Sequence, residues 1–540
     1  MLLAALFLFN GVRADHYPFN FNIDVQHYSF QLNLSDNSDE IEGIASITIL
    51  FKTADVKNFR LDFTNVTAAT NGKGMNINSV QLNGQSVSYV HQNDALIINL
   101  PEPSLKNQRL TFVINYHGIP DDGLRIGPTK YGDRSFFSEN WPNKTRHWLP
   151  CIDHPYDKAT SEFIIKAPNH YQVISNGLLM EETNLNATTK LTHWKQSVPV
   201  SSWLYVLGVA EFAVQYLGEF DGKSLQTWVY PKDREAGFRD FAEPSKEVLQ
   251  FYSDYIGPYV YEKLANVQAT SHGGMETSSA IFYTDGLVTG NRTKSIRNVI
   301  IHEIAHQWFG NSVTESTWDD AWLSEGFATF FTQRFIEHAY GHDEYVQGFL
   351  KAKESVYNTA KKEPDFSVVA DRTAESGAPV TNGLTYQKGA WFLHMLRNRI
   401  GETDFKKGIR SYYNHFMNAN ASTADFRYEM EQASGQDLHK FFDQWLYHSD
   451  LLFLKGSWKY DAKKKQILIK MEQSSSGSLL FDFPFQIGVF QKDAVKPQVT
   501  GFQMNTKTGE FTIPCNVKPE RVVFDPETLL LAQFEFTEAR

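Results

Sequence analysis

Cysteine is nearly absent. The chain has two in 540 residues, Cys151 and Cys515, far apart in sequence. That excludes a disulfide framework, and neither has the paired spacing of a zinc or redox motif. Two separate buried thiols are expected. No segment holds 18 consecutive uncharged apolar residues, so no membrane-spanning helix is expected in the mature chain. Positive charge is in deficit: 51 Lys and Arg stand against 62 Asp and Glu, a formal net charge of −11, with no basic run or stripe. Phosphate binding wants a basic surface, so nucleic acid is excluded as a main partner. Internal repeats and low-complexity linkers are missing as well.

What is present reads as ordinary globular protein, 42% hydrophobic and 21% charged, with length for three or four domains. The opening "MLLAALFLFNGVRAD" is apolar from Leu2 to Phe9, too short to cross a bilayer. With Val12 and Ala14 as small residues before a cut, it fits a signal peptide over 1–14, and therefore export to a periplasm or the exterior.

From 15 to 217 the pattern has mostly period two. "SITILFK" sets Ile47, Ile49 and Phe51 against Ser46 and Thr48, and "LTFVINY" aligns Leu110, Phe112, Ile114 and Tyr116. An N-terminal antiparallel β domain is expected there. From 218 to 450 helical spacing dominates, as in "REAGFRDFAEPSKEVLQFYSDYIG", and few strand signals follow residue 290. From 451 to 540 alternation returns, with Phe483, Phe485, Ile487 and Val489 on one face, which suits a small β-sandwich. The fold class is multidomain α+β.

The stretch "VIIHEIAHQWFGN", residues 299–311, interrupts an apolar run with two histidines and a glutamate. Burying such groups without partners costs free energy. Residues four apart on a helix project side by side, so His302 and His306 can share one metal ion. Two core histidines bonded to backbone are the plain alternative, but Glu303 would then need burial and a partner too. A mononuclear zinc site needs a third ligand and an open position. Eighteen residues separate His306 from Glu325, which lies in "WDDAWLSEGFATFFTQRF", an apolar helical stretch with no cation at helical spacing before Arg334. One carboxylate and two neutral imidazoles leave the metal net positive, which acidifies a bound water. Glu303 then stands beside the open side as a base that can pass a proton to a leaving amine. That chemistry is metal-assisted hydrolysis of an amide.

In this form, "HEIAHQWFGN" followed by "DAWLSEGFA", the chain resembles the zinc aminopeptidases related to aminopeptidase N and the bifunctional leukotriene-epoxide hydrolase, the gluzincins. Two further segments are similar. "HGGMETSSAIFY", residues 272–283, resembles the family's exopeptidase motif, an edge strand that pairs with the substrate backbone. The resemblance makes Gly273, Gly274 and Met275 the platform and Glu276 the carboxylate that binds the free α-amino group. Thr277 departs from the usual Asn. "YQKGAWFLHML", residues 386–396, resembles the segment whose tyrosine stabilises the oxyanion, a role that falls to Tyr386. "RHWLPCIDHPYDKAT", residues 146–160, matches an N-terminal-domain motif; ten residues before its cysteine, where many members place Glu or Gln, stands Trp141, with Asn140 and Glu139 as neighbours.

The resemblance implies a thermolysin-like, mainly helical catalytic domain over 218–450 and one Zn2+ per chain. It also implies hydrolysis of the N-terminal bond of peptides by zinc-activated water. The long helical C-terminal domain of many members has no counterpart here, so a more open cleft is expected. A non-catalytic peptide-binding protein on the same fold is the rival from another class. It has no need to keep Glu303 and Tyr386 beside three ligands.

Overall fold

The computed structural model describes residues 17–242, 244–271, 273–369 and 380–539; the signal peptide expected over 1–14 lies outside them. The chain divides into two compact units. One spans Met1–Asp319 with Asp371–Val380 and His415–Ala421; the other spans Asp320–Ala370, Thr381–Asn414 and Ser422–Arg540. These units do not follow boundaries at 217 and 450. No helix of the described residues is long and apolar enough to cross a membrane. Cys151 and Cys515 are free and buried, as expected from their isolation.

The first unit opens with an eight-stranded sheet. Its strands are β1 (Ile23–Asn33), β2 (Ile41–Phe51), β3 (Gly74–Leu82), β4 (Gln85–Ser86), β5 (Gln108–Ile119), β6 (Ala159–Pro168), β7 (Leu178–Asn184) and β8 (Thr189–Val200). Their spatial order is β7-β8-β6-β1-β2-β5-β3-β4. All neighbours are antiparallel except β1 and β6, so the expected antiparallel domain carries one parallel pair. The alternation works as the pattern requires: Ala45, Ile47, Ile49 and Phe51 of β2 are buried and the residues between them are not.

A second, five-stranded sheet follows where helix was expected to dominate. It comprises β9 (Ala213–Phe220), β10 (Lys223–Val229), β11 (Lys263–Ala269), β12 (Gly274–Met275) and β13 (Ala280–Thr284), in the order β9-β10-β11-β13-β12. The boundary at 217 thus cuts β9. The reason the sheet was missed is physical. β10, β11 and β13 run parallel, and every residue of β11 is buried. Strands covered on both faces do not alternate. Helices α1 (Arg234–Ala242) and α2 (Ser245–Tyr255) sit between β10 and β11. Helix α3 (Lys294–His306) follows β13. Phe137 from the N-terminal region meets Phe282 of β13 edge-on at 5.5 Å, so β domain and second sheet share one core.

The second unit holds α4 (Trp322–Tyr340), α5 (His342–Lys362), α6 (Gly389–Ile400) and α7 (Thr423–Ser434), then strands from Leu452 onward. α4 and α6 cross closely. A Cβ on Gly326 would stand 3.0 Å from the Gly389 Cα, and one on Gly389 equally near Gly326. Glycine inside a helix costs about 1 kcal/mol against alanine, and here it permits the crossing. The last ninety residues form a four-stranded and a three-stranded sheet. Their phenylalanines meet: Phe485 lies 5.1 Å from Phe511, and Phe524 4.7 Å from Phe534. His394 ties α6 to this region, between the Tyr345 hydroxyl at 2.7 Å and the Thr528 carbonyl at 2.9 Å. Burial pushes its imidazole down to about 4. Neutral His394 therefore donates to the carbonyl through Nε2 and accepts from Tyr345 at Nδ1.

One buried carboxyl gives this fold a pH dependence. Asp157 accepts a long bond from the Val25 amide, and burial, reinforced by the Asp24 carboxylate, pushes it up to about 8. The native protein keeps a proton that the unfolded chain releases near 3.8. Its stabilising contribution is therefore complete below that value and is lost as pH rises through about 8. Asp157→Asn is expected to flatten this loss and to exceed wild type in stability above pH 8, as read by urea unfolding from pH 4 to 9.

Candidate active site

α3 starts at Thr293, whose hydroxyl caps the helix by accepting from the Ile296 amide at 3.4 Å. Its apolar side, Ile296, Ile300, Ile301, Ile304 and Ala305, is buried. Just past its end, Trp308 donates to the Gly257 carbonyl at 2.9 Å and packs on Tyr252 and Tyr259. This fixes the helix against α2 and aims one polar row inward. His302 and His306 come together as their spacing requires, with Nε2 atoms 3.1 Å apart and rings nearly perpendicular.

His306 is buried, and its Nδ1 lies 3.2 Å from the Phe309 carbonyl. A carbonyl can only accept, so Nδ1 carries the proton and Nε2 presents its lone pair toward His302. This is the arrangement of a metal-ligating histidine fixed by an outer partner. Two nitrogens held at roughly 2.0–2.1 Å from one tetrahedral ion stand about 3.3 Å apart, close to the spacing found here. The donor set fits zinc.

Glu303 is buried beside them and reaches the second sheet. A Cβ on Gly274 would lie 2.1 Å from Glu303 Oε1, so any larger residue would displace that carboxylate from where it stands. Gly273, with φ of +83°, makes the turn into the strand. β12 is the outermost strand of its sheet: Gly274 pairs with Tyr283 and Met275 with Phe282. Such an edge offers backbone groups to an added chain. Ligand-capable atoms of Glu276, Glu303 and His306 lie within 4.8 Å of one another. Burial, with the nearby Glu303 carboxylate, raises the Tyr283 phenol well above its usual range.

The second unit holds the other two candidates. Glu325 is buried in the first turn of α4. Tyr386 sits in a π-turn, Leu384–Lys388, that leads into α6, a widening often found at functional sites. Because α4 and α6 touch through Gly326 and Gly389, the Tyr386 hydroxyl donates to Glu325 Oε1 at 2.7 Å. Lys388 secures the same turn by donating to the His448 carbonyl at 2.9 Å, and burial pushes its ammonium down to about 8.

Around Trp141 the polar neighbours are engaged by the scaffold. Asn140 is buried, donates to the Tyr205 carbonyl at 2.8 Å and accepts from Trp148 Nε1 at 2.9 Å, so both ends of its amide serve the scaffold. Glu139 pairs with Arg125 at 3.1 Å. Trp141 stands edge-on to Trp203 and Trp318 at 4.9 and 4.8 Å. The motif around Cys151 braces the scaffold through its lysine. Lys158 donates to the carbonyls of Asn311, Ser312 and Ala419 at 3.0, 2.7 and 3.1 Å, fastening the loop after α3. Sequence reasoning passed over Gln307 and Asn311, both buried and both bonded to the Glu276 carbonyl. The question put to His302 and Glu303, what partner a polar group has inside an apolar run, would have found them.

Comparisons with known proteins agree with this geometry. The model of the peptidase M1 N-terminal domain matches residues 24–204, and that of the peptidase family M1 domain matches residues 241–445. Rat glutamyl aminopeptidase is 30% identical over 353 residues, covering 63% of this chain and 37% of that protein. Probable aminopeptidase 1 of Saccharolobus solfataricus is 27% identical over 438 residues, covering 77% and 52%. The M1 zinc metallopeptidase from Deinococcus radiodurans superposes with a TM-score of 0.68 at 24% identity, covering 80% of this chain and 96% of that one. A mutant of the Deinococcus enzyme, solved bound to a Tyr-Ser-Ala substrate, has a TM-score of 0.64 at 25% identity, covering 79% and 94%. The chain belongs to peptidase family M1. It spans between about a third and a half of the length of the curated relatives it matches.

The contact between Gly274 and Glu303 can be tested alone. Gly274→Ala is expected to destabilise the protein by about 1–3 kcal/mol, the usual range for forced overpacking, as measured by urea unfolding. Gly286→Ala, at a glycine with nothing within 4 Å of the added Cβ, serves as the comparison.

Proposed function

We propose that this chain is a zinc aminopeptidase that removes the first residue of peptides bearing a free N-terminus. In this reading His302, His306 and Glu325 hold one zinc ion. Glu303 is the general base, Tyr386 steadies the oxyanion, and Gly273, Gly274, Met275 and Glu276 bind substrate. The region carrying them reads as a thermolysin-like domain, and the last ninety residues as a small β-sandwich. The apolar stretch Leu2–Phe9 supports an exported location. One observation carries the proposal: paired imidazole nitrogens 3.1 Å apart beside two buried carboxylates at an outermost strand, in a chain of family M1.

The chemistry follows from the groups. Zinc held by His302, His306 and Glu325 would supply Lewis acidity, for polarising the scissile carbonyl and acidifying the attacking water. Glu303 takes a proton as the water oxygen bonds to carbon, and returns it to the nitrogen as the C–N bond breaks. The Tyr386 phenol, whose one proton goes to Glu325 Oε1 here, would turn from that carboxylate to donate to the charge that develops on the carbonyl oxygen. β12 aligns the peptide backbone, and the Glu276 carboxylate pairs with the α-ammonium. A charge-assisted bond to that group also explains why an internal peptide bond is not the target.

The reading makes three demands. Glu303→Gln is expected to retain stoichiometric zinc and lose about 10²–10⁴ in kcat, by metal analysis and aminoacyl-arylamide assay; retained turnover would refute the base. Tyr386→Phe is expected to lower kcat by about 10²–10³ with KM little changed; the reverse split would count against it. N-acetylation of a good substrate is expected to abolish cleavage, and undiminished hydrolysis would remove the exopeptidase claim. A panel of arylamides with and without a chelator tests the whole.

A further inference from the structure

Resting on the reading of Glu276 as the amine-binding carboxylate, we propose that Gln307 and Asn311 are positioning residues that set where that carboxylate stands, by clamping the Glu276 backbone carbonyl to the end of α3.

The segment from Glu276 to Ser279 joins β12 to β13 without belonging to either strand, yet all four residues are buried. A buried irregular backbone must find its partners outside regular pairing. Gln307 Nε2 donates to the Glu276 carbonyl at 2.9 Å, and Asn311 Nδ2 donates to the same oxygen at 2.6 Å. The other end of the Gln307 amide accepts from the Ser279 amide at 3.0 Å. One side chain therefore splints both ends of the segment. Ser279 has a φ of +65°, a conformation non-glycine residues adopt only when held.

The opposite side is gripped by the turn that leads into β7. Asn176 Nδ2 donates to the Ser278 carbonyl at 2.7 Å, and the Gly177 amide donates to Ser279 Oγ at 2.8 Å. Lys263 donates to the Ser175 and Gly177 carbonyls at 2.7 Å each. The segment is thus seated against a fixed wall and held by α3.

Gln307 follows His306 directly and lies four residues after Glu303. The spacing between the amine site and the zinc histidines is therefore set by side-chain bonds a few ångströms long. The covalent path from 276 to 302 runs through a strand, a loop and most of a helix and cannot hold it. Removing Asn311 leaves the carbonyl with its second donor, so the fold loses little, whereas removing Gln307 also strips the buried Ser279 amide of its acceptor and costs the fold more; in either case the carboxylate on the same residue loses its bearing. The loss should fall on recognition of the free amine and spare the chemical step.

The test uses the full chain loaded with zinc, as Gln307→Met, Asn311→Ala and the double variant. KM and kcat are measured on an aminoacyl-arylamide, binding of a free amino acid and of its N-acetyl derivative by calorimetry, and zinc by metal analysis. Each single variant is expected to keep its zinc and to raise KM by about tenfold with kcat changed less than about threefold. The free amino acid should lose affinity by the same factor while the acetylated one is unaffected. The double variant should fall short of the product of the singles, since both donors serve one oxygen. Unchanged KM and amino-acid affinity, or equal losses for free and acetylated ligands, would overturn the inference and leave the aminopeptidase reading intact. A wild type inert toward every free-amine substrate would overturn both. If Gln307→Met does not fold, Asn311→Ala carries the same outcomes.

Discussion

The structure depends on a polar row buried on one helix. His306, Glu303 and Gln307 are all inside, among Ile300, Ile304, Ala305 and Trp308. Desolvating such groups is unfavourable by several kcal/mol unless each finds a partner. Much of the first unit reads as the answer to that demand. The Phe309 carbonyl accepts a hydrogen bond from one imidazole, the Glu276–Ser279 segment bonds both ends of a glutamine, and Gly274, having no side chain, admits a carboxylate. The Nε2 lone pair of His306, which faces His302, is the one a divalent cation would use.

The sequence was most legible where one interaction dominates a local pattern. The alternation of β2 follows from one wet and one dry face, and the pairing of His302 with His306 from helical pitch alone. It was least legible where burial is complete. β11 carries Lys263, Asn266 and Gln268 inside a fully covered strand, so its polarity points away from strand while its parallel neighbours make it one. Asn266 survives there because its amide bonds to the Phe241 carbonyl and Ser245, and Gln268 because it reaches Asp233. Long-range partners of this kind leave no spacing to read. The helical stretch 234–257 proves to be two helices, because Pro244 stands at the start of the second.

The same contrast holds at the candidate site. Glu325 and Tyr386 were found by motif, but the reason they meet is a pair of glycines one and three residues further along their helices. Asn140 shows the opposite case: beside Trp141, with no spacing to announce it, its amide is engaged at both ends, by the Tyr205 carbonyl and by Trp148. The role of Lys158, three carbonyls drawn from two distant stretches of chain, became visible only with the loop that it fastens.

The brevity of β12 has a consequence for selectivity. With only Gly274 and Met275 in register, a peptide laid along that border, as the proposed function has it, would find main-chain company there for about two of its residues. Under the same proposal, so short a ledge would read the leading end of a chain and be indifferent to how long the rest is or what it spells.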